Sequence, residues 1–183
     1  DVFVKHLHVP IQSGSDNVLR KMKRRYTLAE YETKIQEFKK ALPGVAITTD
    51  IIVGYPEETD EDFEAIKATI KRIGFSEMHV FPYSKRSGTK AAQIKAQVHG
   101  TVKSMRVNEL MTLNETLTND YIESVMSDTH QVLFERCDGT SCKGHTDNYI
   151  MVKVMTNQDL ENQIHSVNIT EASYPESLAV ITD

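Results

Sequence analysis

The first 81 residues alternate between two rhythms. Short runs rich in apolar and β-branched residues give way to stretches whose apolar positions recur every three or four residues. Residues 2–11 read as a first strand, followed by Gln-Ser-Gly-Ser and a short helix from about Asp16, a good N-cap. A second helix starts at Thr27, where Thr27 and Glu30 form a capping box. Leu28, Tyr31, Ile35, Phe38 and Leu42 supply its apolar face, and Pro43-Gly44 stops it. Residues 45–53 predict a strand buried on both faces, broken by Gly54, Tyr55 and Pro56. A third helix begins near Thr59 with Asp60, Glu61 and Asp62 in its first turn, buries Phe63, Ile66, Ile70 and Ile73, and ends at Gly74. Residues 75–81 predict the third strand.

This order is β-α-β-α-β, so parallel strands with right-handed crossovers are expected. Three such strands are too few to close a barrel, and an open sheet leaves bare edges. The expectation is therefore half of a parallel barrel whose preceding half lies outside this sequence, with self-association as one way to cover the edge. The chain opens on Asp1 rather than Met, as a fragment would. Residues 98–126 predict one long helix with a stripe of Val102, Met105, Val107, Leu110, Leu113 and Leu117. After residue 129 the pattern changes to short strands, HQVLFE, YIMVKVM, IHSVNIT and LAVIT, separated by turn-rich segments at 137–143, 156–162 and 174–177. That is expected of a small barrel of the oligonucleotide-binding type. Three regions follow: 1–97, 98–126 and 127–183.

Composition narrows the classes. No run approaches the ~20 apolar residues of a membrane span, and no signal-peptide pattern is read at the start. A net charge of −5 argues against a surface coated for nucleic acid. The distribution is uneven: Arg20, Lys21, Lys23, Arg24 and Arg25 cluster, whereas residues 127–183 hold three basic against nine acidic residues. The two cysteines, Cys137 and Cys142, cannot complete a structural zinc site; free surface thiols are expected, with a small loop disulfide as the alternative.

Candidate chemistry gathers where strands end, the place where parallel α/β folds hold ligands. Gln12, Ser13 and Ser15 follow the first strand and suit ribose hydroxyls or an amino-acid head group; they equally suit a polar loop capping a helix. Gly54 lets a ligand approach the backbone or simply allows a sharp turn. Arg24 and Arg25 sit in the basic run, on a solvated face or gripping a carboxylate or phosphate. The polar loop Tyr83, Ser84, Lys85, Arg86, Ser87, Gly88 and Thr89 follows the third strand. His6 and His8 share one strand face, but no third ligand is evident in the sequence nearby, so no metal site is assigned.

The segments HLHVPIQSGSDNVLRKMKRRYT, TDIIVGYPEETDEDF, HVFPYSKRSGTKAA and GHTDNYIMVKV resemble, in order and spacing, the radical S-adenosylmethionine (SAM) tRNA methylthiotransferases. The likeness is greater to the threonylcarbamoyladenosine enzymes than to the isopentenyladenosine ones. It implies the C-terminal half of a partial TIM-like radical SAM barrel, a linking helix and a terminal TRAM barrel. It implies a cytoplasmic enzyme that uses SAM and [4Fe–4S] clusters to place a methylthio group at C2 of an N6-modified adenosine beside the anticodon, with the tRNA anticodon stem-loop as partner. By matching position, Gln12, Ser13, Arg24, Ile52 and Gly54 would face SAM; Asn148 in the terminal barrel is expected to contact the RNA, as is Arg86, whose loop after the third strand could alternatively reach the SAM carboxylate. The family usually has Pro-Gly-Glu-Thr where this chain has Pro56-Glu57-Glu58-Thr59. The CxxxCxxC loop is absent, so no catalytic residue is assigned in this chain. Two rivals stand beside this reading: a stand-alone RNA-binding or adaptor module, and a different half-barrel enzyme assembled by dimerisation around another ligand.

Because the cluster requires thiolates, this chain is expected to bind no iron–sulfur cluster after anaerobic reconstitution. Iron and sulfide analysis with the visible spectrum checks this; stoichiometric incorporation would overturn it.

Overall fold

In the computed structural model, residues 4–182 are described; of the expected first strand, residues 2 and 3 lie outside them. The chain separates into two compact units. One comprises His8–Ala41 and Ile47–Leu117, the other Asp1–Leu7, Leu42–Ala46 and Thr118–Asp183.

The α/β part follows the expected order: β1 (His6–His8), α1 (Asp16–Lys21), α2 (Leu28–Ala41), β2 (Ala46–Val53), α3 (Asp60–Ile73) and β3 (Glu77–Pro82), then α4 (Lys90–Gln93) and α5 (Gly100–Val125). The three strands form one sheet in the order β1-β2-β3, with β2 central. β2 and β3 run parallel, Asp50 opposite His79 and Ile52 opposite Phe81. β1 is shorter than the sequence suggests, but its path continues as a parallel bridge from Gln12 to Ile51. Ile11, Ile47, Ile51, Val53, Ile66, Ile70 and Phe75 are buried in the core. Each contributes on the order of 1.5–3 kcal/mol of burial.

α3 is capped as its sequence specifies: Thr59 and Asp62 form a reciprocal box, and Gly74 closes the helix in the left-handed conformation. Asp62 does a second job. Its Oδ1 accepts from Ser15 Oγ at 2.6 Å and its Oδ2 from Asn17 Nδ2 at 3.0 Å, tying the start of α1 to the start of α3. On α2, Tyr31 and Ile35 are buried, but Phe38 and Leu42 are exposed. Lys39 on the same helix is partly buried, and its Nζ donates to the carbonyls of Ile73 and Gly74 at the end of α3, at 2.7 and 2.9 Å.

The expected stripe on α5 is corrected. Met105 is exposed, whereas the fully buried positions are Arg106, Leu110, Asn114, Thr118, Ile122 and Val125. Two of the polar residues on the inner face are held by partners. Arg106 is ion-paired, and Asn114 Oδ1 accepts from the backbone N–H of Met78 at 2.7 Å.

The second unit holds a closed five-stranded barrel: β4 (Thr129–Cys137), β5 (Ser141–Thr146), β6 (Met151–Met155), β7 (Ile164–Glu171) and β8 (Ser177–Ile181). Its order is β4-β5-β6-β8-β7, with β6 and β8 parallel and every other pair antiparallel. Closure leaves no free edge. Val132, Phe134, Val152, Val154, Val167, Ile169 and Ala179 fill the interior.

Two expectations fail at the β4–β5 hairpin. The segment expected to be a turn contains the start of β5, which has no apolar run to announce it. Gly144 is decisive there: a Cβ would lie 2.0 Å from the Leu133 carbonyl oxygen, so only glycine lets the two strands close. Cys137 and Cys142 are directly opposed in the ladder and joined as a disulfide, and Cys142 is buried, rather than being free surface thiols.

Burial acts to raise the Asp62 pKa, but the bonds from Ser15, Thr59 and Asn17 win, and it lies below the ordinary value. A depressed folded pKa means stabilisation that is complete above the usual carboxylate range of about 4 and lost as pH falls through the folded value. Asp62→Asn is expected to lower stability by ~1–3 kcal/mol at neutral pH and to flatten the acid limb of stability. Urea melts between pH 3 and 7 check this; an unchanged acid limb would refute the role.

Candidate functional site

A cleft of about 650 Å³ opens at the carboxyl ends of the three strands. Its floor is formed by Asp50 and Ile52 of β2 and by Phe81 and Pro82 of β3; Gln12 and Arg24 line one side, and Tyr83, Ser84, Arg86, Thr89 and Ala91 the other. Asp50 and Ile52 are the two half-buried residues in a strand otherwise buried throughout, and the alternation of a strand puts them on one face. The cleft thus offers an apolar floor, two guanidinium groups and one carboxylate.

The predicted residues separate into those that reach this space and those that do not. Gln12, Arg24 and Ile52 line it, and Arg86, assigned to RNA by position, lines the same cleft. Gln12 stands at φ 68°, a left-handed conformation that costs a non-glycine residue of order 1 kcal/mol or more and recurs at functional sites. Its Oε1 accepts from Arg24 Nη2 at 2.9 Å, which aims the guanidinium across the mouth.

Ser13 is fully buried, and its Oγ accepts from the Ser15 N–H at 3.3 Å; it shapes the loop and is not part of the lining. Gly54 is likewise outside the lining. It sits at φ 71°, its N–H donates to Glu58 Oε1 at 2.8 Å, and a Cβ there would meet Lys103 Cγ at 2.2 Å. The space that glycine frees is filled by Lys103, whose Nζ donates to the Tyr83 carbonyl at 3.0 Å. In the barrel unit, Asn148 is buried, its Oδ1 accepting from Thr146 Oγ1 at 2.6 Å and its Nδ2 donating to Tyr121 Oη at 2.9 Å. Its amide orders the β5–β6 turn; the exposed group of that turn is Tyr149, whose ring stacks between His6 and His145 at 4.3 and 4.5 Å. His6 and His8 are therefore not a pair: His8 points to Asp50 instead.

Sequence reasoning missed Asp50, Phe81 and Arg106. The first two were discoverable, since they share strand faces with Ile52 and His79. Arg106 gave no signal, because a single arginine inside a helical segment reads as surface. It is buried, with Nη1 2.6 Å from Glu58 Oε1, Nη2 2.7 Å from Asp60 Oδ1, and the guanidinium 5.2 Å over the Phe63 ring. Burial pushes the Glu58 carboxyl upward, against the pull of Gly54 N–H and Arg106. The turn Pro56-Glu57-Glu58-Thr59 keeps a left-handed residue at its second position even without glycine: Glu57 has φ 64°, held by Lys21 Nζ on its carbonyl at 2.7 Å.

Residues 1–70, which include Gln12, Arg24, Asp50 and Ile52 of the cleft, match the Radical SAM superfamily model. Over nearly its whole length the chain is 42% identical to the threonylcarbamoyladenosine tRNA methylthiotransferase of Bacillus subtilis, across 180 residues that make up 96% of this chain and 40% of that one. It is 36% identical across 170 residues to the tRNA-2-methylthio-N(6)-dimethylallyladenosine synthase of Carboxydothermus hydrogenoformans, covering 91% and 39%. The corresponding synthase of Caldicellulosiruptor saccharolyticus is 37% identical across 174 residues, covering 92% and 36%. The chain is thus similar over nearly its whole length to radical SAM tRNA methylthiotransferases and spans about two fifths of the length of these relatives. Among solved structures, coproporphyrinogen III oxidase of Escherichia coli, a radical SAM enzyme, aligns with 67% of this chain and 26% of its own at a TM-score of 0.49 and 14% identity.

Arg106→Ala would strand the buried Glu58 carboxylate and is expected to cost ~3–5 kcal/mol, the range for breaking a buried pair from one side. The double variant Arg106→Met with Glu58→Gln should recover part of that loss. Denaturation of the single and double variants checks this; a loss below 1 kcal/mol in Arg106→Ala would exclude the locking role.

Proposed function

We propose that this chain is part of a cytoplasmic tRNA methylthiotransferase, contributing one half of its SAM cleft and an RNA-contacting β-barrel of the TRAM type. The observation that carries this reading is the convergence of Gln12, Arg24, Ile52 and Arg86 on one cleft at the strand ends. The residues present suit SAM: guanidinium groups for its carboxylate, Asp50 for its amino or ribose groups, and Ile52 and Phe81 for its adenine. SAM bound here would supply the adenosyl group for hydrogen abstraction at adenine C2, and a second SAM would supply the methyl group for the new thioether. The chain's own residues hold and orient it. Gln12 fixes Arg24, and the buried Arg106–Glu58 pair fixes the turn beyond β2. The only two cysteines are bridged to each other, so the thiolates for [4Fe–4S] clusters belong to another part of the intact enzyme, and this chain alone is inactive.

The partner is the anticodon stem-loop of a tRNA carrying an N6-modified adenosine, bound with help from Arg86 at the cleft and from the turn ordered by Asn148 in the barrel. Self-association would cover the open sheet edges. Among the described residues no helix is long and apolar enough to cross a membrane. A stand-alone RNA-binding role is disfavoured by the identity of the relatives, which are methylthiotransferases, and by the acidity of residues 127–183.

In a full-length enzyme carrying this segment, Arg24→Ala is expected to weaken SAM binding about ten- to hundredfold, the worth of a charge-assisted bond of ~1.5–3 kcal/mol. Arg86→Ala is expected to weaken tRNA binding and to reduce its salt dependence. Asn148→Ala should lower tRNA affinity and barrel stability together while sparing SAM. Titration of each variant with SAM and with tRNA checks the set. SAM loss in Arg86→Ala alone would transfer the carboxylate role to Arg86, and tRNA loss alone in Arg24→Ala would make Arg24 a phosphate contact.

A further inference from the structure

We infer that His8, Asp50 and His79 form a binding site for a divalent first-row transition ion of the Zn²⁺ type, meeting the cleft through Asp50. The three side chains come from three adjacent strands of one sheet, with Asp50 directly opposite His79. Their candidate ligand atoms all lie within 4.8 Å of one another.

The spacing suits coordination as well as the 3.3 Å hydrogen bond that joins His79 Nδ1 and Asp50 Oδ1. Asp50 Oδ1 is 3.4 Å from His8 Nε2 and 3.3 Å from His79 Nδ1. A charge-assisted bond between imidazole and carboxylate closes to about 2.7–2.9 Å. The ligand-to-ligand edge of a tetrahedron with bonds of about 2.0–2.1 Å is ~3.4 Å. Both short edges of the triad already match it, and the third closes by rotation of His79, whose side chain is half exposed.

The outer contact is also in place. His8 Nδ1 lies 2.9 Å from Thr48 Oγ1, which orients the ring and leaves Nε2 as the atom facing Asp50. Metal-ligating histidines are oriented in this way through their second nitrogen. Two imidazoles and one carboxylate make a nitrogen-rich, borderline set, which favours zinc-like ions over Mg²⁺ or Ca²⁺, the oxygen-seeking ions. Three protein ligands leave a fourth position open, and because Asp50 itself lines the cleft, that position is available to the cleft's occupant. An ion held there would act as a Lewis acid and a point of attachment for an oxygen or nitrogen donor. All three ligands belong to this chain, so metal binding can be tested with SAM absent.

The experiment uses the chain as it stands, stripped with chelator and titrated with Co²⁺ and then Zn²⁺. Visible absorption reports Co²⁺ geometry, and calorimetry reports Zn²⁺ affinity and stoichiometry. One ion per chain with a tetrahedral Co²⁺ spectrum is expected. His79→Ala and Asp50→Asn should each lower affinity at least about tenfold, and circular dichroism should show both folded. His145→Ala, in the barrel, should bind as the parent does. Absence of stoichiometric binding overturns the site. So does binding that survives in both His79→Ala and Asp50→Asn, or that disappears in His145→Ala.

Discussion

The cleft depends on one buried cation. Arg106 reaches from α5 to the turn that follows β2, and with Glu58 and Asp60 it fixes where the central strand ends and where α3 begins. Glu58 passes the constraint on by accepting from the N–H of Gly54, the first residue after β2. An ion pair this deep is expensive to desolvate and is not an efficient source of stability. It is well suited to holding one geometry, because either partner left alone would be a buried unpaired charge. Asp62 repeats the theme one turn further on by binding α1 to α3. Together the two carboxylates set the distance between the loops that carry Gln12 and Arg24 and the strands that carry Asp50 and Ile52.

The two units use different means to deal with strand edges. The parallel sheet leaves β1 and β3 at its edges among the described residues, and its polar face gathers Gln12, Asp50, His79 and His8 beside apolar Ile52 and Phe81. A face with so many polar groups in front of a buried layer is built to hold something. The barrel closes on itself, and its interior is fully apolar along Val132, Phe134, Val152 and Val167. Its polar devices are at the turns, where Asn148, Thr146 and Tyr121 form one hydrogen-bonded set.

The amino-acid sequence by itself determined the order of elements in the α/β part, the ends of its helices and the resemblance to the radical SAM tRNA methylthiotransferases. Thr59 and Gly74 act locally, so their roles are readable from spacing alone, and β2 announced itself by Ile47, Ile51, Ile52 and Val53. Gln12 follows a parallel strand and so was legible as a cleft residue, whereas Arg24 and Ile52 were brought to the cleft by the family resemblance. What failed had a common cause. Met105 was assigned to a buried stripe and Arg106 was overlooked, because whether a polar helix face is inside depends on partners 46 and 48 residues away in the chain. Strand β5 was hidden because its fitness lies in a missing side chain, that of Gly144, against the backbone of β4. The cysteine pairing followed from that hidden strand. His8, Asp50 and His79 look unrelated along the chain, and only the register of three strands brings their ligand atoms together.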